Sequence, residues 1–155
     1  MLSAMSYNKG YRCVYSLNIH LVLVTKYRKK VINQEILKRL HEILASTCEK
    51  WSSKLTDFNG EPDHVHLVID FPPDVEISKL VNNLKTVSSR LIRKEFADVV
   101  NRIYRSDARP SGSPTRKAHQ DKPVFWTGAY FVASCGGVTV DQVRKYVENQ
   151  TQIAD

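Results

Sequence analysis

An α+β fold of the ferredoxin-like (RRM-like) type, an antiparallel sheet with helices on one face, is predicted by two features of this 155-residue sequence. Segments with alternating apolar residues, typical of strands, are separated by segments in which apolar residues recur every three or four positions, typical of helices. Their order is β-α-β-β-α-β-α, which is the split βαβ arrangement followed by one further helix. The length suits a single domain over residues 1–155.

The first strand and helix are predicted over residues 14–51. Residues 14–25 carry β-branched and aliphatic side chains at alternate positions, which predicts a long strand that ends at the basic segment 26–30. Asn33 is a favourable N-cap for the helix that follows. The apolar stripe of this helix consists of Ile36, Leu37, Leu40, Ile43, Leu44 and Trp51.

A hairpin and a second helix come next. Residues 54–58 resemble a short strand, Asn59-Gly60 is a strong turn signal, and residues 64–71 form the next strand. Pro72-Pro73 ends that strand, and Asp74 is the expected cap of a helix. The buried stripe of this helix consists of Ile77, Leu80, Val81, Leu84, Val87 and Leu91.

The last third of the chain begins with a predicted basic loop over residues 97–122, where helical periodicity is lost around Pro110 and Pro114. Residues 124–133 contain four aromatic side chains and predict a fourth strand. Thr139 and Gln142 have the spacing of a capping box, so we expect a final helix that reaches about Gln150.

Charge and composition restrict the classes of partner. Lys and Arg number 23 against 16 Asp and Glu, a net charge of +7 that favours a polyanion such as nucleic acid, or else a solubilising surface. The three cysteines form no Cys-x-x-Cys pair, which suits a reducing cytoplasmic compartment. No apolar run approaches the length of a membrane helix, so we expect no membrane association.

His64 and His66 are the residues most suggestive of chemistry. In a strand they project from one side, while Val65, Leu67 and Ile69 project from the other. If the aliphatic residues pack beneath the helices, the two imidazoles face the uncovered side of the sheet. Two imidazoles can hold one divalent ion but need a third ligand. On spacing alone, surface or hydrogen-bonded core histidines are the commoner explanation.

Tyr146 and Gln150 are four residues apart and share one face of the last helix. The Gln150 carboxamide oxygen could complete a ligand set for Mg²⁺ or Mn²⁺, which act on phosphates. Tyr146 could attack a phosphodiester in line, assisted by the charges of Arg144 and Lys145. Taken singly, Tyr146 is better explained as a buried structural residue and Gln150 as a solvated helix end.

Several motifs together resemble the single-tyrosine HUH transposases, the TnpA-like transposases of the insertion-sequence 200/605 family. HUH denotes histidine, a bulky hydrophobic residue and histidine. The resemblance covers most of the chain. Its motifs are Thr25-Lys26-Tyr27-Arg28, Pro62-Asp63-His64-Val65-His66-Leu67, Phe125-Trp126, Tyr130-Phe131-Val132, Gly136-Gly137 and Tyr146-Val147-Glu148-Asn149-Gln150.

The resemblance implies one HUH domain in which His64, His66 and Gln150 hold Mg²⁺ or Mn²⁺. Tyr146 would form a 5'-phosphotyrosine link to single-stranded DNA, so that the element is excised and inserted as a single strand. It also implies binding to hairpins at the element's ends and a homodimer, in which the tyrosine helix can complete the partner's active site. The expected DNA-binding residues are Lys26, Arg28, Lys29, Arg109, Arg116 and Lys117.

The basic stretch over residues 101–122 is longer than the family's usual connection, and it either reaches DNA phosphates or is a surface insertion. Two other functions are compatible with parts of the sequence. A histidine-triad nucleotide hydrolase also alternates histidine with hydrophobic residues, but Val68 occupies the position of its nucleophilic histidine. A single-strand nucleic-acid-binding module without catalysis would use the open sheet face.

Overall fold

The computed structural model describes residues 7–10, 12–105, 125–135 and 140–150. Within these residues, β1 and β2 form a small antiparallel hairpin, and the four other strands form an antiparallel sheet in the order β4-β5-β3-β6. This topology confirms the predicted α+β fold. The elements are β1 (Asn8–Gly10), β2 (Cys13–Tyr15), β3 (Asn18–Val24), α1 (Gln34–Lys50), β4 (Lys54–Glu61), β5 (His64–Asp70), α2 (Ile77–Glu95), α3 (Ala97–Arg105), β6 (Phe131–Ser134) and α4 (Val140–Asn149).

The main core lies between one face of the sheet and helices α1 and α2. Alternation along the two central strands directs Leu21 and Leu23 of β3, and Leu67 of β5, into this core, where all three are fully buried. Burial of each such side chain contributes about 1.5–3 kcal/mol. The helices supply the opposing layer with Ile36, Leu40, Ile43 and Leu44 from α1 and Leu80, Val81, Leu84 and Ile92 from α2.

The two helix-cap predictions have different outcomes. Asn33 caps α1 as expected, since its side-chain oxygen accepts a hydrogen bond from the backbone N–H of Ile36 at 2.8 Å. Asp74 does not cap α2, because that helix begins at Ile77 with Glu76 at its N-cap position, and the Glu76 side chain makes no capping bond. The prediction at Asp74 placed the cap too early.

The turn predicted at Asn59-Gly60 is wrong, because both residues belong to β4 and the chain turns at Pro62 and Asp63. Gly60 is required for a different reason. A Cβ atom at this position would collide with Cδ1 of Leu37 on α1 and lie 3.1 Å from Cγ1 of Val65. The glycine therefore allows the helix to pass close to the sheet, and it does not signal a tight turn.

The loop predicted over residues 97–122 is wrong in its first part, where α3 occupies Ala97–Arg105. Val100 is buried, and Ile103 and Tyr104 pack against the main core at helical spacing. The apolar positions were present in the sequence but lie among arginines that suggested a solvated segment. Residues 106–122 lie outside the described residues.

The first and fourth predicted strands are shorter than expected. The strand expected over residues 14–25 is interrupted at residues 16–17, where β2 ends and β3 begins. The strand expected over residues 124–133 is limited to β6, preceded by a single bridge between Trp126 and Thr25. Trp126 is buried instead and donates its indole N–H to Ser88 Oγ at 2.9 Å. Apart from the single bridge, Trp126 is therefore held by its buried indole ring and not by regular strand pairing.

Helix α4 lies where the sequence predicts it, although Thr139 of the expected capping box lies outside the described residues. In the described parts of the chain, every helix is too short or too polar to span a bilayer.

Candidate active site

His64 and His66 lie on the face of β5 that is turned away from α1 and α2. Both are partly buried, whereas Val65 and Leu67 are fully buried on the opposite face, as the alternation predicts. The centroids of the two imidazole rings are 4.8 Å apart and their planes are nearly perpendicular. The strand therefore holds two imidazoles side by side on the face without core helices.

A third histidine, His20, belongs to the same group. It lies on the neighbouring strand β3, and its ring centroid is 5.7 Å from that of His66. The sequence analysis did not select it. The alternation of side chains along the strand could have identified it. His20 projects from the same face of β3 as Val22 and Val24, and this is the face of the histidine pair once β3 and β5 are paired.

Asp63 connects His64 to Arg28. Its Oδ1 lies 2.7 Å from Nδ1 of His64, and its Oδ2 accepts a hydrogen bond from Nε of Arg28 at 3.1 Å. Burial raises the pKa of Asp63, but the hydrogen bonds from His64 and Arg28 outweigh this, and the net pKa is lowered. A carboxylate can only accept hydrogen bonds, so Nδ1 of His64 carries the proton in this contact, and Nε2 is the ring nitrogen that a metal ion could use.

The imidazole of His66 is neutral at pH 7. Burial, followed by the proximity of His64 and His20, lowers its pKa to about 4. A neutral imidazole is the form that binds metal ions. His66 is therefore in the state that a metal ligand needs.

Helix α4 packs on the same face of the sheet. The side chain of Val147 is buried with Val22 and Val24, and Tyr146 and Phe131 pack against this group. The ring centroids of Tyr146 and Phe131 are 5.2 Å apart. This small cluster is separate from the main core and attaches α4 to the sheet.

The register of the sheet relates this cluster to the histidines. Val22 is the direct cross-strand neighbour of His66, and Val24 is that of His64. Directly paired residues project their side chains from the same face. The structure therefore places Tyr146 and the histidine pair on one side of the sheet within a single chain.

Gln150 is buried and is not the solvated helix end that its position would suggest. Its side chain is 6% exposed, and its Oε1 has no hydrogen-bond partner among the described residues. An unsatisfied buried acceptor is unfavourable by about 1–3 kcal/mol. In the described parts of the chain no three His, Cys, Asp or Glu side chains are grouped to hold a metal. A third donor to the histidine pair would have to be of another type, and the buried Gln150 amide oxygen is a candidate.

The expected DNA-binding residues divide into two groups. Lys26, Arg28 and Lys29 lie in the turn after β3 and are partly buried, and Arg28 is bonded to Asp63. The predictions for Arg109, Arg116 and Lys117 concern positions outside the described residues.

Comparison with known proteins shows the family. A family model described as "Transposase IS200 like" matches residues 13–113 and 109–150. The chain belongs to this IS200-like transposase family. The two matched ranges contain the histidine pair, Tyr146 and Gln150. Membership supports DNA transposase activity and disfavours the histidine-triad alternative.

Individual IS200-like relatives agree with this assignment. The ISDra2 transposase TnpA of Deinococcus radiodurans is 25% identical over 142 residues, covering 92% of this chain and 89% of that protein. The transposase for insertion sequence element IS200 of Salmonella typhimurium is 24% identical over 133 residues, covering 86% and 76% respectively. A crystal structure of a candidate transposase from Deinococcus radiodurans superposes with a TM-score of 0.75 at 28% identity, covering 92% of this chain and 97% of that one.

Proposed function

We propose that this IS200-like transposase cleaves and rejoins single-stranded DNA with the help of a divalent metal ion, using Tyr146 as its nucleophile. The main support is the packing of Tyr146 and Val147 against Val22 and Val24, the cross-strand neighbours of His66 and His64. This arrangement brings a phenol to the face that carries the two imidazoles. Family membership supports a reaction on DNA.

His64, His66 and Gln150 are the proposed ligands of Mg²⁺ or Mn²⁺. When bound, such an ion supplies Lewis-acid polarisation of a phosphodiester oxygen. Asp63 fixes the orientation of the His64 ring through Nδ1, and the buried Gln150 amide offers an oxygen that lacks another partner among the described residues. The three residues would thus supply two nitrogen ligands and one oxygen ligand.

Tyr146 provides the attacking oxygen. Its phenolic oxygen would bond to the phosphorus while the bond from phosphorus to the 3' oxygen breaks, which leaves a 5'-phosphotyrosine and a free 3' hydroxyl. The phenol gives up its proton and the departing 3' oxygen gains one. The exposed cations Arg144 and Lys145 precede Tyr146 on α4 and are available to a DNA phosphate. Attack by a 3' hydroxyl on the phosphotyrosine reverses the step and rejoins the strand.

The proposed DNA partner is a single strand with hairpins at the ends of the element, and the proposed assembly is a homodimer. In the single chain, α4 lies on the sheet to which it is connected. The same contacts made by the α4 of a second copy would complete the partner's site. The net charge of +7 suits either arrangement on DNA.

The test uses single-stranded DNA that carries the hairpin of an element end, incubated with the protein and Mn²⁺ and resolved on a denaturing gel. Wild type should form a covalent adduct with the fragment that begins at the cleaved 5' phosphate. Tyr146→Phe should form none, and Tyr130→Phe is the matched control on the loop before β6. An adduct in Tyr146→Phe equal to that of wild type would contradict the assignment of the nucleophile.

The metal ligands are tested in the same assay. His64→Ala, His66→Ala and Gln150→Ala should each abolish cleavage while hairpin binding in EDTA is largely retained, because affinity for DNA comes mainly from cations. Equal loss of hairpin binding would contradict this separation of roles. Unimpaired cleavage by these variants would instead favour a site elsewhere in the chain.

A further inference from the structure

The turn that follows β3 presents an exposed aromatic ring. Tyr27 is 59% exposed, and its backbone φ is 58°, with a φ of 52° at Arg28 directly after it. Side chains other than glycine and asparagine rarely adopt this left-handed conformation. Residues held in it are concentrated at functional sites, where the surrounding structure imposes the conformation.

Hydrogen bonds on both sides of Tyr27 impose the conformation. The buried Thr25 hydroxyl lies 2.8 Å from the carbonyl oxygen of Lys29 and 3.0 Å from that of Asp63. The backbone N–H of Lys26 donates to the carbonyl oxygen of Phe125 at 2.9 Å, and that of Arg28 donates to Thr25 at 2.9 Å. The turn is therefore a fixed structure that holds the Tyr27 ring out from the protein surface.

The surroundings of the ring are cationic. The Lys26 ammonium lies 5.3 Å from the centroid of the Tyr27 ring, and Lys30 is exposed three residues further on. An exposed aromatic ring among lysines is the arrangement with which proteins bind single strands, because bases stack on the ring while cations contact the phosphates. A structural role would instead bury the ring.

The turn is also connected to the proposed active site. Arg28 is bonded to Asp63, which in turn contacts His64, so the residue after Tyr27 is two contacts away from a proposed metal ligand. Thr25 contacts the Asp63 backbone as well. A strand lying over the histidine pair would therefore pass close to the Tyr27 ring.

We propose that Tyr27 is a stacking platform for an unpaired base of the DNA strand processed at the histidine site, with Lys26 and Lys30 at adjacent phosphates. This inference rests on the proposed function, since it assigns a contact to the same single-stranded substrate. Sequence discrimination is not required, because every base has a face that can stack.

Two substitutions separate stacking from a structural role. Asparagine tolerates the left-handed conformation, so Tyr27→Asn should keep the fold while removing the ring. Tyr27→Phe keeps the ring and removes the hydroxyl. The matched control is Tyr7→Asn, because Tyr7 is equally exposed but precedes Asn8, which contacts Asp70 at the opposite end of β5 from His64.

The probe is a fluorescein-labelled dT single strand, and its Kd is measured by anisotropy in EDTA over a range of salt concentrations. Tyr27→Asn should raise the Kd about 5- to 100-fold, which is the effect of removing one stacked base. Tyr27→Phe and Tyr7→Asn should bind like wild type. The salt dependence should be unchanged in Tyr27→Asn, whereas Lys30→Gln should reduce its slope by up to about 0.7.

Three results would overturn the proposal: wild-type affinity in Tyr27→Asn, an equal loss of affinity in Tyr27→Phe, or a marked fall in the Tm of Tyr27→Asn, which would make Tyr27 structural. Failure of the proposed function is distinguishable. If the proposed function is wrong, wild type with Mn²⁺ forms no covalent adduct. The Kd values measured in EDTA are independent of that result, because binding in EDTA requires neither metal nor cleavage.

Discussion

The Asp63 carboxylate lies 2.7 Å from Nδ1 of His64, at the end of β5 where the proposed active site begins. This contact fixes both the ring orientation and the tautomer of His64, and Arg28 holds the other carboxylate oxygen at 3.1 Å. Carboxylates in this position behind a metal-binding imidazole increase its basicity. In the proposed site Asp63 would be a positioning residue, which the sequence analysis included in a motif but did not assign to the site.

Asp63→Ala should weaken the response to metal. We expect the Mn²⁺ concentration for half-maximal cleavage to rise about 10- to 100-fold, because such outer partners have effects of this size. Hairpin binding in EDTA should be unchanged. Asp70→Ala is the matched control, since Asp70 lies on the same strand and accepts hydrogen bonds from Asn8 at the other end. An equal shift in both variants would show a general effect on the strand.

Much of the fold could be predicted because periodicity reports burial directly. The alternation in β5 correctly divides His64 and His66 from Val65, Leu67 and Ile69, since only one face of the sheet is covered by helices. The errors in the predicted fold arise where one sequence feature has two possible structural explanations. Gly60 resembles a turn residue, but its lack of a Cβ serves the close approach of Leu37.

The site was predicted less completely than the fold. His64 and Gln150 could be selected because their residue types and spacing suggest a ligand set. The contacts of His20 and Asp63 with the histidine pair depend on strand register and on the turn at Pro62, which the residue types alone do not reveal. Tyr27 is recognisable only from its exposure and backbone conformation, both properties of the folded chain.

Gln150→Leu should separate stability from activity. The buried Gln150 Oε1 lacks a partner in the described residues, so an apolar side chain of similar size should raise the free energy of unfolding in EDTA by about 1 kcal/mol. Cleavage should be lost. Mn²⁺ should raise the Tm of wild type by binding its native state but should have little effect on Gln150→Leu.

The control for this prediction is Asn149→Leu, which places the same side chain at the adjacent, exposed position of α4. It should leave both the Tm in EDTA and the response to Mn²⁺ close to those of wild type. If Gln150→Leu is less stable than wild type in EDTA, the amide has a structural partner and its proposed role as a ligand is weakened.

Cys48 should make the protein sensitive to alkaline pH. The thiol is fully buried in the main core, and burial raises its pKa from 9.0 to about 12. As the pH rises above the unfolded value, the unfolded chain loses this proton while the folded chain keeps it. Stability from this group is therefore complete below about pH 9 and falls by about 1.4 kcal/mol per pH unit until about pH 12.

Urea denaturation at about pH 8 and about pH 10.5 measures the effect. The difference in unfolding free energy between the two values should be smaller in Cys48→Ala than in wild type. Cys13→Ala, which removes an exposed thiol, should behave like wild type. An identical pH dependence in wild type and Cys48→Ala would show that the thiol ionises as readily in the folded protein as in the unfolded chain.

Gly60→Ala should destabilise the protein although it adds a single methyl group. The new Cβ would collide with Cδ1 of Leu37 and approach Cγ1 of Val65, so α1 or β4 must shift, at a cost of about 1–3 kcal/mol. Gly128→Ala is the control, because nothing lies within 4 Å of a Cβ at that position. In urea denaturation, the combination of Gly60→Ala with Leu37→Ala should be less destabilising than the sum of the two, since truncation of Leu37 removes the collision. Strict additivity would mean that the cost comes from the approach of Val65 and not from that of Leu37 on α1.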